Sequence, residues 1–219
     1  MPSRVLNWFR DEGFNIRAVC FLAYASGATW YPVFNIYLKQ VGLTGTQIGV
    51  ISAVIPAVML VCQPLWGVFA DRWGRRKALV LSMFITALLG LGFLYQSHFW
   101  FYFLWMIPFA FFYNPFGPLI DSLSLDYVEH THKSSYGLMR LWGSIGWSIL
   151  TFSVGYYIAD SSYAPIFPIA AVVMFLAALI GLLGPGRAGA SGPEVNFKNL
   201  KPVLKNRKLV LYLFIMLIV

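Results

Sequence analysis

The sequence predicts an all-α polytopic membrane protein with six transmembrane helices and the start of a seventh. Three observations carry this. Apolar residues make up 59% of the chain and charged residues 11%, against roughly 45–50% and about 25% in a soluble domain. So few charges cannot coat a water-soluble globule of that apolar content. Six uncharged, mostly apolar runs, at 18–38, 48–70, 78–95, 99–120, 141–159 and 163–183, are each about long enough to cross a bilayer, which takes roughly 17–25 residues. The basic residues fall almost entirely in alternate connections. A soluble enzyme, a disordered chain and a disulfide-rich secreted domain are excluded, and so is an outer-membrane β-barrel with its shorter alternating strands.

Each run must be helical, because lipid offers backbone groups no hydrogen-bond partner. The tail before the first run carries Arg4, Arg10 and Arg17 like the n-region of a signal peptide. The run behind it is 21 residues long and lacks a small-residue cleavage site, so it reads as a retained helix. It contains Trp30-Tyr-Pro32-Val-Phe34-Asn35, and the fourth run contains Tyr113-Asn114-Pro115-Phe116. Proline, asparagine and aromatics thus interrupt the first helix of each three-helix unit, as a discontinuous, cavity-lining helix requires. Asn35 and Asn114 are accordingly candidate solute contacts.

Counting Lys and Arg by side sets the orientation. The amino-terminal tail and the connections after the second, fourth and sixth runs hold 15 of the 16, and Lys39 alone lies on the other side. The amino terminus is therefore expected in the cytoplasm of a plasma membrane, the inner membrane in a bacterium. The net charge of +8 is an orientation signal and no mark of nucleic-acid binding. Residues 1–183 read as a six-helix bundle, 184–208 as a cytoplasmic linker and 209–219 as a truncated seventh helix. Those 11 residues would rise only about 16 Å, so the natural chain is expected to continue.

Cys20 and Cys62 lie inside apolar runs and read as buried free thiols. His98, His130 and His132 read as solvated turn residues. With no metal-ligand cluster, Walker-type loop or nucleophile triad, no metal, cofactor or enzymatic chemistry is indicated.

The connection after the second run is the most specific feature. It reads Gly67-Val-Phe-Ala-Asp71-Arg72-Trp-Gly74-Arg75-Arg76-Lys77. Gly67 lets a neighbouring helix approach closely. Asp71 ends the helix where it can take charge-assisted hydrogen bonds from the arginines or face another helix's positive end. Gly74 permits a tight turn, and Arg75, Arg76 and Lys77 fix the loop at the headgroups.

The fourth and fifth runs supply the candidate site. From residue 99 to 127 is 29 residues, about 43 Å of helix against a core of roughly 30 Å. Asp121 then lies one to two turns inside one end, and Arg140 about one turn inside the next helix. Opposite charges at similar depth are expected to pair. Arg140, Ser144 and Trp147 share one helical stripe. A guanidinium, a hydroxyl and an indole could hold a polar solute with a flat or apolar face. In the competing assignment Arg140 reaches the headgroups, Trp147 packs in the bundle and Asp121 caps or hydrates a helix end.

The loop after the second run resembles the signature of the major facilitator superfamily, matched at every defining position. The resemblance implies the superfamily's amino-terminal half, built of 3+3 inverted repeats and facing a second six-helix bundle. Residues 136–147 further resemble the group that holds the lactose permease and the nucleoside–proton and phenylpropionate-type symporters. That likeness implies solute binding by Arg140, stacking by Trp147 and, across a one-residue gap and with Asp in place of Glu, pairing of Asp121 with Arg140. The function implied is proton-coupled symport of a small polar organic solute (a sugar, nucleoside or aromatic acid) by alternating access. The alternatives are facilitated diffusion and a half-size bundle that senses solute or assembles with others.

Overall fold

The computed structural model describes residues 11–95, 98–158, 163 and 165–184. Apart from Gly184, the expected linker and seventh helix lie outside the described residues. So do Arg4, Arg10 and the basic residues that follow the sixth run.

Among the described residues the secondary structure is helical, without strands. Helix α1 spans Glu12–Trp30 and starts where the Asp11 carboxylate accepts the Phe14 N–H at 2.8 Å, satisfying one orphan donor of the first turn. It stops at Pro32, which has no N–H and whose ring would strike the carbonyl four residues back. The chain resumes as α2, Phe34–Gln40. Helix α3, Gly45–Trp73, opens on a Thr44/Gln47 capping box and carries Pro56 and Pro64 inside it. Helix α4 spans Arg75–Leu91 and runs into a 3-10 turn, Gly92–Leu94.

The fourth run divides into α5, Phe99–Tyr113, and α6, Phe116–Thr131. The break falls at Asn114-Pro115. Pro115 cannot donate to the carbonyl of Phe111, and the Trp66 indole does so instead at 3.0 Å. Both proline-bearing sites read from the sequence therefore interrupt a helix. Helices α7, Tyr136–Ile158, and α8, Ile166–Leu183, complete the described chain. Helix α1 begins at Glu12 and α7 at Tyr136, earlier than the apolar runs at 18 and 141, because helical backbone continues through polar flanks that apolarity does not mark.

Helix α1 packs mainly on α7 and α8, α5 and α6 pack on α3 and α4, and α4 packs on α8. The first helix of each consecutive triplet thus inserts between the second and third helices of the other. An aromatic core lies at that crossing. The Trp30 ring meets Phe34, Phe109 and Tyr113 edge-on at centroid distances of 5.4, 5.1 and 5.3 Å. Buried polar groups are tied to helix carbonyls: Tyr37 donates to Phe93 O and Ser26 to Ala170 O, each at 2.7 Å.

The outer surface is apolar. Leu60 is 75% and Phe152 80% exposed, a distribution that water penalises and lipid does not. Among the described residues four helical stretches, Gly45–Trp73, Arg75–Leu94, Phe99–Thr131 and Ile166–Leu183, are long and apolar enough to cross a membrane. Helices α1 and α7 carry Arg17 and Arg140 and supply the polar face described next.

Candidate solute-binding site

Glycines on α7 determine how closely α1 approaches. A Cβ at Gly146 would run into the Phe21 backbone. One at Gly143 would sit 2.7 Å from the Tyr24 ring, 2.8 Å from Arg140 Nη1 and 3.0 Å from Cys20 Sγ. Small residues let backbones meet in this way where lipid supplies no hydrophobic drive. The seam sets Cys20, Tyr24 and Gly27 of α1, with Tyr31 just past its end, opposite Arg140, Gly143 and Trp147 of α7.

Asp121 of α6 and Arg140 of α7 come together. Arg140 Nε lies 3.8 Å from Asp121 Oδ1, and both side chains are about one-third exposed (36% and 35%). At that separation the pair attracts without a hydrogen bond. Asp121 Oδ1 is itself buried and accepts no hydrogen bond from the described residues. The guanidinium carbon stands 4.0 Å from the centroid of the Tyr24 ring. An open pair of this exposure contributes up to about 1 kcal/mol, and a cation over an aromatic face about 0.5–2 kcal/mol. The contacts of Arg140 with Tyr24 and with Asp121 are therefore of comparable weight. Arg140 is thus turned onto Tyr24 and Asp121.

Trp147 continues the stripe. Its ring lies 6.3 Å from that of Tyr31, tilted by 60°, and covers Gly27, where a Cβ would be 3.3 Å from it. Ser144 is exposed. The two asparagines are placed otherwise. Asn35 Oδ1 accepts the Ser52 hydroxyl at 2.9 Å, and Asn114 Nδ2 donates to Ile55 O at 3.0 Å. Both tie the helix breaks to α3. Sequence reasoning passed over Tyr24 and Tyr31. The signal was their spacing with Cys20 and Gly27, which puts all four on one stripe.

The loop between α3 and α4 is a one-residue turn. Gly74 takes φ 102°, in the region that disfavours side chains, and α4 starts at once behind it. Arg75 and Arg76 do not fix the loop at headgroups as expected; both turn into the bundle. Arg75 Nη1 reaches both Asp126 oxygens, at 2.7 and 2.6 Å, with Asp71 at 3.9 Å from Nε. Arg76 Nη1 donates to Asn15 Oδ1 at 2.6 Å and to Gly181 O at 3.1 Å. Asn15 in turn donates to Ile180 O at 2.6 Å. These last-turn carbonyls of α8 have no partner within their own helix, which is what draws Arg76 inward. Arg72 and Lys77 are exposed. Among the described residues no helix approaches Gly67 closely, since a Cβ there would meet nothing within 4 Å. It lines a cleft of about 300 Å³ with Gln63, Asp71, Arg75, Pro115 and Ser122.

The model of the MFS_1 like family matches residues 14–219. The chain belongs to the major facilitator superfamily. Its relatives include the uncharacterized transporter YwbF of Bacillus subtilis, 28% identical over 88% of this chain and 49% of that protein. The maltose permease of Geobacillus stearothermophilus is 29% identical over 73% of this chain and 41% of its own length. The sucrose permease of Escherichia coli is 30% identical over 65% and 36%. The chain spans about half, or less, of the length of the curated relatives it matches. Major facilitator proteins are transporters and not enzymes, and the apolar helices above are those of a multi-pass membrane protein.

Proposed function

We propose that this chain forms the amino-terminal six-span half of a major facilitator secondary transporter. Residues 1–183 are the bundle, 184–208 a cytoplasmic linker and 209–219 the start of the seventh helix. The crossed packing of the two helix triplets, each led by a proline-broken helix, supports a 3+3 repeat. The bias of basic residues supports a cytoplasmic amino terminus, in the inner membrane of a bacterium. Alternating access comes from this bundle rocking against a second one, with the Gly67–Lys77 loop at the hinge side.

The solute is a small polar organic molecule, bound by Asp121 and Arg140 with Ser144 and Trp147 along the same stripe. Asn35 and Asn114 shape the cavity through their ties to α3. The observation that carries this reading is the open Asp121–Arg140 pair. Among the described residues Asp121 Oδ1 accepts no hydrogen bond and Arg140 stands 3.8 Å from it, which leaves capacity for a ligand that offers both a donor and an acceptor. A sugar does so with adjacent hydroxyls. An aromatic acid offers no donor to Asp121 and would be repelled by it. The maltose and sucrose permeases among the relatives favour the same class.

Proton symport is the coupling this reading takes, with Asp121 as the acid within the bundle. Uptake of a labelled panel (maltose, sucrose, a nucleoside, an aromatic acid) by cells expressing the gene tests both points. Sugar uptake abolished by a protonophore, and lost in Arg140→Ala and Asp121→Asn at matched expression, is the expected result. Uptake indifferent to the protonophore would make the protein a facilitator. Silence across the panel would favour a solute-sensing or assembly subunit.

A further inference from the structure

Among the described residues Arg75 pairs with Asp126 and, more loosely at 3.9 Å, with Asp71, while Arg140 pairs with Asp121. Arg75 and Asp126 are closed, with Nη1 2.6 Å from Oδ2. Arg140 and Asp121 are open at 3.8 Å. Nothing in the chemistry of the two side chains explains the gap, because an arginine and a carboxylate left to themselves close to about 2.7–2.9 Å. The surroundings differ: Arg75 has Asp71 as a second carboxylate neighbour, Tyr136 stands beside Asp121, and the Arg140 guanidinium carbon sits 4.0 Å from the Tyr24 ring centroid.

We propose that Tyr24 is the positioning residue of the solute site, its ring face holding Arg140 within reach of Asp121 but short of closure. This rests on the solute-site reading above. The guanidinium spends its attraction on the ring, and its in-plane N–H donors stay available. Asp121 Oδ1 stays available too. A closed pair would have to be prised apart by each incoming solute; an open one is ready for it.

Tyr24 is itself held firmly enough to act this way. Its ring meets Phe116 edge-on, at 5.4 Å and 70°. Its hydroxyl lies beside Gly117, where a Cβ would be 3.5 Å away. Gly143 gives the ring its space on α7. Among the described residues the Tyr24 hydroxyl makes no hydrogen bond, so the ring and not the hydroxyl is the working part.

The test is the kinetics of radiolabelled maltose and sucrose uptake in cells expressing the gene, at matched surface level. Tyr24→Phe keeps the face and is expected to hold KM within about twofold of wild type. Tyr24→Leu removes it and is expected to raise KM about tenfold, with a smaller change in maximal rate. Gly143→Ala, which pushes on both Tyr24 and Arg140, is expected to raise KM as well, and it decides the matter should the leucine variant fail to fold. Wild-type KM in Tyr24→Leu, or in Gly143→Ala where the leucine variant is lost, overturns the proposal. Equal impairment of the Phe and Leu variants also overturns it, since the hydroxyl would then be responsible. Arg140→Ala separates the two readings. If it transports normally, or if neither sugar is taken up, the underlying site assignment falls. If it is inactive while Tyr24→Leu is unaffected, only the role of Tyr24 falls.

Discussion

Arg75 Nη1 donates to both oxygens of Asp126, at 2.7 and 2.6 Å, and thereby fastens the first residue of α4 to the middle of α6, 51 positions along the chain. The Asp71 carboxylate touches the same guanidinium at 3.9 Å. One arginine thus binds the end of α3, the start of α4 and α6 into a unit behind the single-residue turn at Gly74. With side chains only 21% and 31% exposed, these charges are partly desolvated, and removing one leaves the other to bear that cost.

Asp126→Asn is therefore expected to lower stability by about 1–3 kcal/mol, read as a drop in the midpoint of thermal unfolding in detergent. Asp71→Asn should cost less, since its contact is longer and more exposed. A double-mutant cycle between Arg75 and Asp126 should return most of the loss as coupling. Additive losses would mean the pair is incidental.

The α1–α7 seam makes a second prediction by contrast. Gly146→Ala places a Cβ against the Phe21 backbone, which cannot give way as a flexible side chain can. Gly155→Ala on the same helix meets open space. The first is expected to cut both folded yield and uptake severalfold, the second to leave both unchanged. Fluorescence size-exclusion profiles of the two variants check this, and equal behaviour would contradict the close approach.

Much of the architecture is legible in the sequence because it follows from one-residue rules. Pro32 and Pro115 remove a donor from the hydrogen-bond ladder and helices break at both, whereas α3 continues through Pro56 and Pro64. Gly74 marks the turn because few other residues tolerate its φ. The direction of a long charged side chain obeys no such rule. Arg75 and Arg76 looked like headgroup anchors; Asp126 and the end of α8, distant in sequence, draw them inward. Tyr24 was missed for the opposite reason. An aromatic in an apolar run has many uses, and only the glycines of α7 bring Arg140 onto its face. Asn35 and Asn114 were legible as special residues, but their partners on α3 were not.

The Arg76–Asn15 clamp yields a third prediction. Asn15 is fully buried and bridges Arg76 to the Ile180 carbonyl. Asn15→Leu would leave a buried guanidinium hydrogen and a helix-end carbonyl unsatisfied, at a cost of about 1–3 kcal/mol each. Asn15→Asp keeps the acceptor for Arg76 and is expected to lose less. Thermal unfolding of the two variants should rank leucine below aspartate, and the reverse order would show that Asn15 does not serve Arg76.

Solute binding is expected at the open Asp121–Arg140 pair. Its most direct measurement is the equilibrium dissociation constant of the transported sugar in membrane vesicles, for wild type, Arg140→Ala and Asp121→Asn. Hydrogen bonds to charged groups contribute about 1.5–3 kcal/mol, so each variant is predicted to bind about 10- to 150-fold more weakly. Thermal stability should change little in Asp121→Asn, because the open pair adds little to it, and somewhat more in Arg140→Ala, which also loses the Tyr24 contact. An unchanged dissociation constant in both variants would contradict the account and make the pair a structural feature of the bundle.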